Sequence, residues 1–85
     1  MPIISYFLGI SIYFRFHEHN PPHFHAVYAE YEMTVDINTW QMKGNFPTRG
    51  MNAVLEWAKA HEQELIENWN IAQNHGRLKP IKPLE

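Results

Sequence analysis

Along the first half of the chain apolar and polar residues alternate, and along the second half apolar residues recur at helical spacing. Residues 3 to 8 are apolar and β-prone, and Gly9 interrupts them. From there Ile10, Ile12, Phe14 and Phe16 face one way and Ser11, Tyr13 and Arg15 the other, which is the period of a half-buried strand. Residues 23 to 28 repeat the pattern, with Phe24, Ala26 and Tyr28 predicted toward the core and His23, His25 and Val27 on the opposite face. Ala29-Glu30-Tyr31 is a short connection. Residues 32 to 37 point Met33, Val35 and Ile37 inward and Glu32, Thr34 and Asp36 outward. Asn38-Thr39 signals a turn, and Trp40 to Lys43 reads as a short strand ended by Gly44. Consecutive strands on short turns favour an antiparallel meander.

The period then changes. Phe46-Pro47-Thr48 opens a helix with Thr48 as its cap, and the helix runs to about His75 with Gly76 as its stop. At 100° per residue Met51, Val54, Leu55, Ala58, Leu65, Ile66, Trp69 and Ala72 form one broad stripe, so Leu55, Leu65 and Trp69 are predicted to be buried on the sheet. About 27 residues make roughly 40 Å of helix. That is long against a small sheet, so a kink, a split near residue 60 or a protruding end is expected. Glu62 falls near the middle of the stripe and His61 at its edge. Glu62 would either lie in water where the helix has outrun the sheet or reach toward the histidine turn. Trp57 sits off the stripe and would cover a loop or mark a partner surface. Trp40, Trp69, Met33, Met42 and Met51 read as core. Pro80 and Pro83 keep residues 76 to 85 extended, and Arg77, Lys79 and Lys82 make this tail locally basic. The expected architecture is a single α+β domain over residues 1–85. Residues 1–44 form an antiparallel meander of four to five strands, 47–75 one long C-terminal helix on one face, and 76–85 a tail.

Composition narrows the function. The chain has 85 residues, is 45% apolar and carries three Trp, four Tyr and five Phe, enough for a small core. It has no Cys, which excludes disulfides and thiolate metal sites. No apolar run approaches the ~20 residues of a membrane-spanning helix. The opening residues lack the charge and cleavage pattern of a secretory signal, so the cytoplasm is the expected compartment. A net charge of −2 argues against a general nucleic-acid binder.

The candidate chemistry is concentrated in residues 16 to 28. Four of the six histidines, His17, His19, His23 and His25, lie within nine residues. Glu18 lies among them, and Asn20-Pro21-Pro22 divides them with a stiff turn whose X-Pro bonds are open to the cis form. Residues two apart in a strand share a face, so His23 and His25 would point the same way, and His19 can fold back from the turn. Three imidazoles with a carboxylate, Glu18 or Asp36, suit zinc, nickel or another divalent transition metal with one open position. A metal-free alternative uses two histidines as base and acid, with Arg15 stabilising charge on a phosphorane and Tyr13 orienting, for RNA cleavage by a small nuclease. The plain alternative is a solvated sheet face whose histidines cap the turn or bond backbone carbonyls.

Glu18-His19-Asn20-Pro21-Pro22-His23-Phe24-His25 also resembles the signature of a family of small bacterial proteins, domain of unknown function family 4160. The opening Met1-Pro2-Ile3-Ile4-Ser5-Tyr6-Phe7 and the helix from Glu56-Trp57 through Glu64-Leu65 to Asn68-Trp69 are similar to that family too. His17 falls outside the pattern. The resemblance implies a family and no reaction. It also implies a gene beside a second small protein, in a toxin–antitoxin-like pair. The expected function is therefore a protein-interaction module that forms a homo-oligomer or binds its operon-encoded partner. The alternative is a histidine- or metal-dependent phosphodiesterase acting through His19, His23, His25 and Arg15. Convergent histidines in a concavity would favour the enzyme, and a large exposed apolar patch without them would favour the module.

Overall fold

A computed structural model describes residues 2–85; Met1, which opens the family-like N-terminal segment, lies outside the described residues. Strands β1 (Ile3–Phe7), β2 (Ile10–Tyr13), β3 (His23–Tyr28), β4 (Tyr31–Asp36) and β5 (Met42–Asn45) pair antiparallel in chain order as one sheet. Helices α1 (Thr48–Ala60) and α2 (Glu62–Gln73) follow, giving an α+β fold. Phe7 pairs with Ile10 across Leu8-Gly9, both left-handed at φ 54° and 77°, the two-residue reversal whose twist suits flanking strands. Ile12, Phe14, Phe24, Ala26, Met33, Val35 and Ile37 are buried and share one core with Val54, Trp57, Ala58, Leu65, Trp69 and Ala72.

Several local expectations are corrected. β2 ends at Tyr13, so alternation no longer sets a face beyond it, and Phe16 is 40% exposed. Tyr28 ends its strand and stacks on Tyr31 in the open, with ring centroids 6.5 Å apart. Trp40 lies in the β4–β5 turn at φ 65°, and the strand begins only at Met42. Pro47 holds the cap position of α1 without a side-chain bond, and Thr48 is the first helical residue.

The single long helix is two helices. His61, at φ −123° and ψ 28°, separates them, and its N–H donates to the Ala58 carbonyl at 3.0 Å, one residue short of α-helical spacing. A straight helix of ~40 Å would exceed the 33 Å longest extent of the fold, so it must bend to stay on the sheet. The break leaves Glu62 in solvent in the first turn of α2. It also rotates α1: Val54, Trp57 and Ala58 are buried, while Met51 and Leu55 are only partly covered.

Trp57 is the reverse of an exposed partner surface. It is 1% exposed, packs on Phe7 and Phe24, and its indole Nε1–H donates to the Lys82 carbonyl at 2.8 Å. The loop it covers is the C-terminal tail, which is strapped down along the edge of β1. The Ile81 N–H donates to the Ile4 carbonyl (2.8 Å) and the Ser5 hydroxyl donates to the Ile81 carbonyl (2.9 Å). Buried Asn68 donates to the Lys79 carbonyl (2.9 Å) and accepts from the Lys79 N–H (2.8 Å). The tail's lysines face acids, Lys79 with Glu67 and Lys82 with Glu85, each at 3.3 Å.

Candidate metal centre

The site lies where β2 leaves the sheet and β3 joins it. Pro21-Pro22 ends the connection, the Asn20–Pro21 bond is cis, and β3 opens with His23. Period two then sends His23 and His25 to the face opposite Phe24. Tyr13, His25, Thr34 and Lys43 are successive register partners across β2 to β5, and His23 pairs with Asp36. The connection folds back so that Glu18 returns to these imidazoles. Gln73 of α2 donates to the Glu18 carbonyl at 2.9 Å and fixes that return.

One carboxylate oxygen meets both imidazoles. Glu18 Oε1 lies 2.7 Å from His25 Nε2 and 3.1 Å from His23 Nε2, and the two rings stand 5.4 Å apart at 63°. Ligand atoms of Glu18, His23 and His25 all lie within 4.8 Å of one another. His23 packs against Trp69, with centroids 5.2 Å apart. The other ring nitrogens face oxygens that can only accept. His23 Nδ1 is 2.9 Å from the Pro21 carbonyl. His25 Nδ1 is buried without a hydrogen-bond partner, 3.8 Å from Glu32 Oε2. The His25 ring stacks on Tyr13 at 4.9 Å and 15°. The Tyr13 hydroxyl donates to Glu32 Oε2 at 2.8 Å, and Arg15 donates to that hydroxyl at 3.4 Å. Burial, then the bond to Glu32, pushes the Tyr13 phenol above its ordinary value. Burial also acts to raise the Glu18 carboxyl. The hydrogen bond and charge of His25, with the charge of His23, outweigh burial and hold the carboxyl below its ordinary value.

Three of the five residues offered as ligands are brought together. Glu18, His23 and His25 converge; His19 and Asp36 do not join them among the described residues. The proline turn leaves His19 exposed. Asp36 Oδ1 accepts the amides of Asn38 (2.7 Å) and Thr39 (3.0 Å), closing the β4–β5 turn. The Thr39 amide bond outweighs the smaller effect of burial and lowers the Asp36 carboxyl. Arg15 lies 3.6 Å from Glu32, so its charge is answered there and not at the imidazoles. His19 and Asp36 instead line a polar cavity of about 330 Å³ with His23, Thr34, Gln41 and Lys43. Glu32 was legible only as an outward strand residue, because its place beside Tyr13 and His25 depends on register. Nothing in the local pattern marked Gln73.

The donor set could hold a metal ion. Tetrahedral bonds of about 2.0–2.1 Å set ligand atoms roughly 3.3 Å apart; the Glu18 oxygen lies 2.7 and 3.1 Å from the two imidazole nitrogens. Ligating histidines commonly donate their other N–H to a carbonyl or carboxylate, and Pro21 O stands at that position for His23.

The fold and site define a small meander protein with two helices and a Glu–His–His cluster at the β2–β3 connection. The family model for a domain of unknown function (DUF4160) matches residues 9–70, and the chain belongs to that family. The matched span contains the whole Glu18–His25 segment and stops short of the C-terminal tail. No curated protein and no solved structure is significantly similar. No helix among the described residues is long and apolar enough to cross a membrane.

Proposed function

We propose that the chain binds a divalent transition ion, zinc or nickel, through Glu18, His23 and His25, and hydrolyses a phosphodiester with it. One observation carries this reading: ligand atoms of Glu18, His23 and His25 all lie within 4.8 Å of one another, with Glu18 Oε1 2.7 Å from His25 Nε2 and 3.1 Å from His23 Nε2. A bound ion would take the place of a proton held between these atoms. Such an ion supplies Lewis-acid polarisation of a phosphoryl oxygen and an activated water. Lys43 in the adjoining cavity offers positive charge to an anionic substrate, RNA among them, and His19 stands in its wall as a proton donor or acceptor.

Metal analysis of protein made without a His-tag or chelating resin tests the reading, followed by zinc calorimetry near pH 7.5. Zinc should bind the wild type and be lost from this site in a His23→Ala, His25→Ala variant. Equal binding by both proteins, or by neither, sinks the metal reading. The cluster is then a turn-stabilising contact between two imidazoles and Glu18, and only the metal-free acid–base form is left.

A second reading rests on a different surface. Ile3, Tyr6 and Leu8 are 56%, 62% and 69% exposed on β1 and its hairpin, beside a cavity lined by Leu8, Ile10, Tyr28 and Pro47. These exposed apolar side chains support an interaction module, as a homo-oligomer or one half of a toxin–antitoxin-like pair. Light scattering should then report a mass above the 10.1 kDa chain, alone or with the neighbouring small protein, and a Tyr6→Lys, Leu8→Lys variant should fall back to monomer. A wild-type monomer at high concentration that also ignores the neighbouring protein removes this reading.

A further inference from the structure

We propose a second metal site, formed by His17 and His75, that clips the connection carrying Glu18 to the end of α2. It does not depend on the Glu18 site being a metal centre. The pairing joins residues 58 apart in sequence: His75 Nε2 faces His17 Nε2, with ring centroids 3.9 Å apart at 74°. His17 lies outside the family-like motif, and His75 lies beyond the family match at residues 9–70.

The backbone argues that these imidazoles are placed. Helix α2 closes with the Gly76 N–H on the Ile71 carbonyl (2.9 Å) and the His75 N–H on the Ala72 carbonyl (3.3 Å). That is the Schellman arrangement, whose left-handed residue is usually glycine. Here the left-handed residue is His75 at φ 56°, and the glycine follows one position later. His17 is left-handed as well, at φ 58°. Two side chains thus occupy conformations that glycine adopts with less strain, and both bring a ring nitrogen to the same point. Phe16 stacks on His75 at 5.4 Å and 23° and restrains that ring.

The chemistry follows from the two nitrogens. A direct hydrogen bond would use one proton and one lone pair; an ion uses both lone pairs. Imidazole pairs suit nickel, copper and zinc, with water completing the shell. Tetrahedral bonds of about 2.0–2.1 Å would set the nitrogens roughly 3.3 Å apart, reached by small rotations of two exposed rings. Glu18 directly follows His17, and its carbonyl is already held by Gln73 at 2.9 Å. An ion at His17 and His75 therefore adds a second tie between this connection and α2.

Nickel uptake by the full-length untagged chain tests the proposal, by equilibrium dialysis and by the shift in Tm on adding nickel. His75→Gly removes the imidazole yet suits the left-handed position, so the metal-free variant should melt no lower than wild type. Both His75→Gly and His17→Ala should hold one nickel fewer per chain and lose most of the nickel-induced rise in Tm. If the Glu18 site alone is misread, wild type holds one nickel fewer than the two sites together would, and the variants still drop by one from that count. Wild type and variants with equal nickel counts and equal Tm shifts overturn this site and leave a direct imidazole–imidazole hydrogen bond.

Discussion

Replacing Trp57 with alanine is expected to destabilise the protein by about 3–5 kcal/mol, the range for truncating a buried tryptophan. The ring is 1% exposed and touches Phe7 of β1 and Phe24 of β3, so its loss opens a void between helix and sheet. It also releases the Lys82 carbonyl and loosens the strap along β1. A domain of this length holds roughly 4–13 kcal/mol in total at 0.05–0.15 kcal/mol per residue, so the change removes a large share. Trp57→Phe should cost clearly less, because it keeps much of the packing and loses mainly the indole bond. Urea titration of the three proteins checks this. A loss under about 1 kcal/mol for the alanine variant would show that the helix does not anchor the tail this way.

The second large effect separates two leucines that share the predicted stripe. Leu65 is 0% exposed in α2, and Leu65→Ala should cost about 2–5 kcal/mol. Leu55 is only partly covered in α1, and Leu55→Ala should cost less than half as much. If the helix were continuous, both would lie on one buried face and the costs would match. Equal losses in denaturant titration would argue against the break at His61 and the rotation that goes with it.

These leucines show how far local pattern reaches. The stripe was right for Val54, Ala58, Leu65, Trp69 and Ala72, because helical periodicity depends only on neighbouring residues. It misjudged Met51, Leu55 and Trp57, because the bend shifts the phase of α1 against the sheet, and Ile66 of α2 is likewise only partly covered. The strand faces were legible for the same local reason. Phe24 and Ala26 went inward while His23 and His25 shared the other face. Phe16 failed because the chain had already left the sheet at Tyr13.

By itself the sequence determined the α+β class, an antiparallel meander of four to five strands, and the placing of two histidines on one strand face beside a stiff proline turn. Each follows from side-chain periodicity or from fixed backbone angles, properties that act within a few residues. Tertiary structure alone decided which groups met those histidines. It brought Glu18 in and left His19 out, because Gln73 of α2 holds the connection by the Glu18 carbonyl. It gave Asp36 to the turn amides and set Glu32 beside Tyr13 and His25 through strand register. It brought His75 to His17 across the length of the chain and covered Trp57 with the tail. Such contacts arise where elements distant in sequence pack together, and their partners cannot be read from spacing.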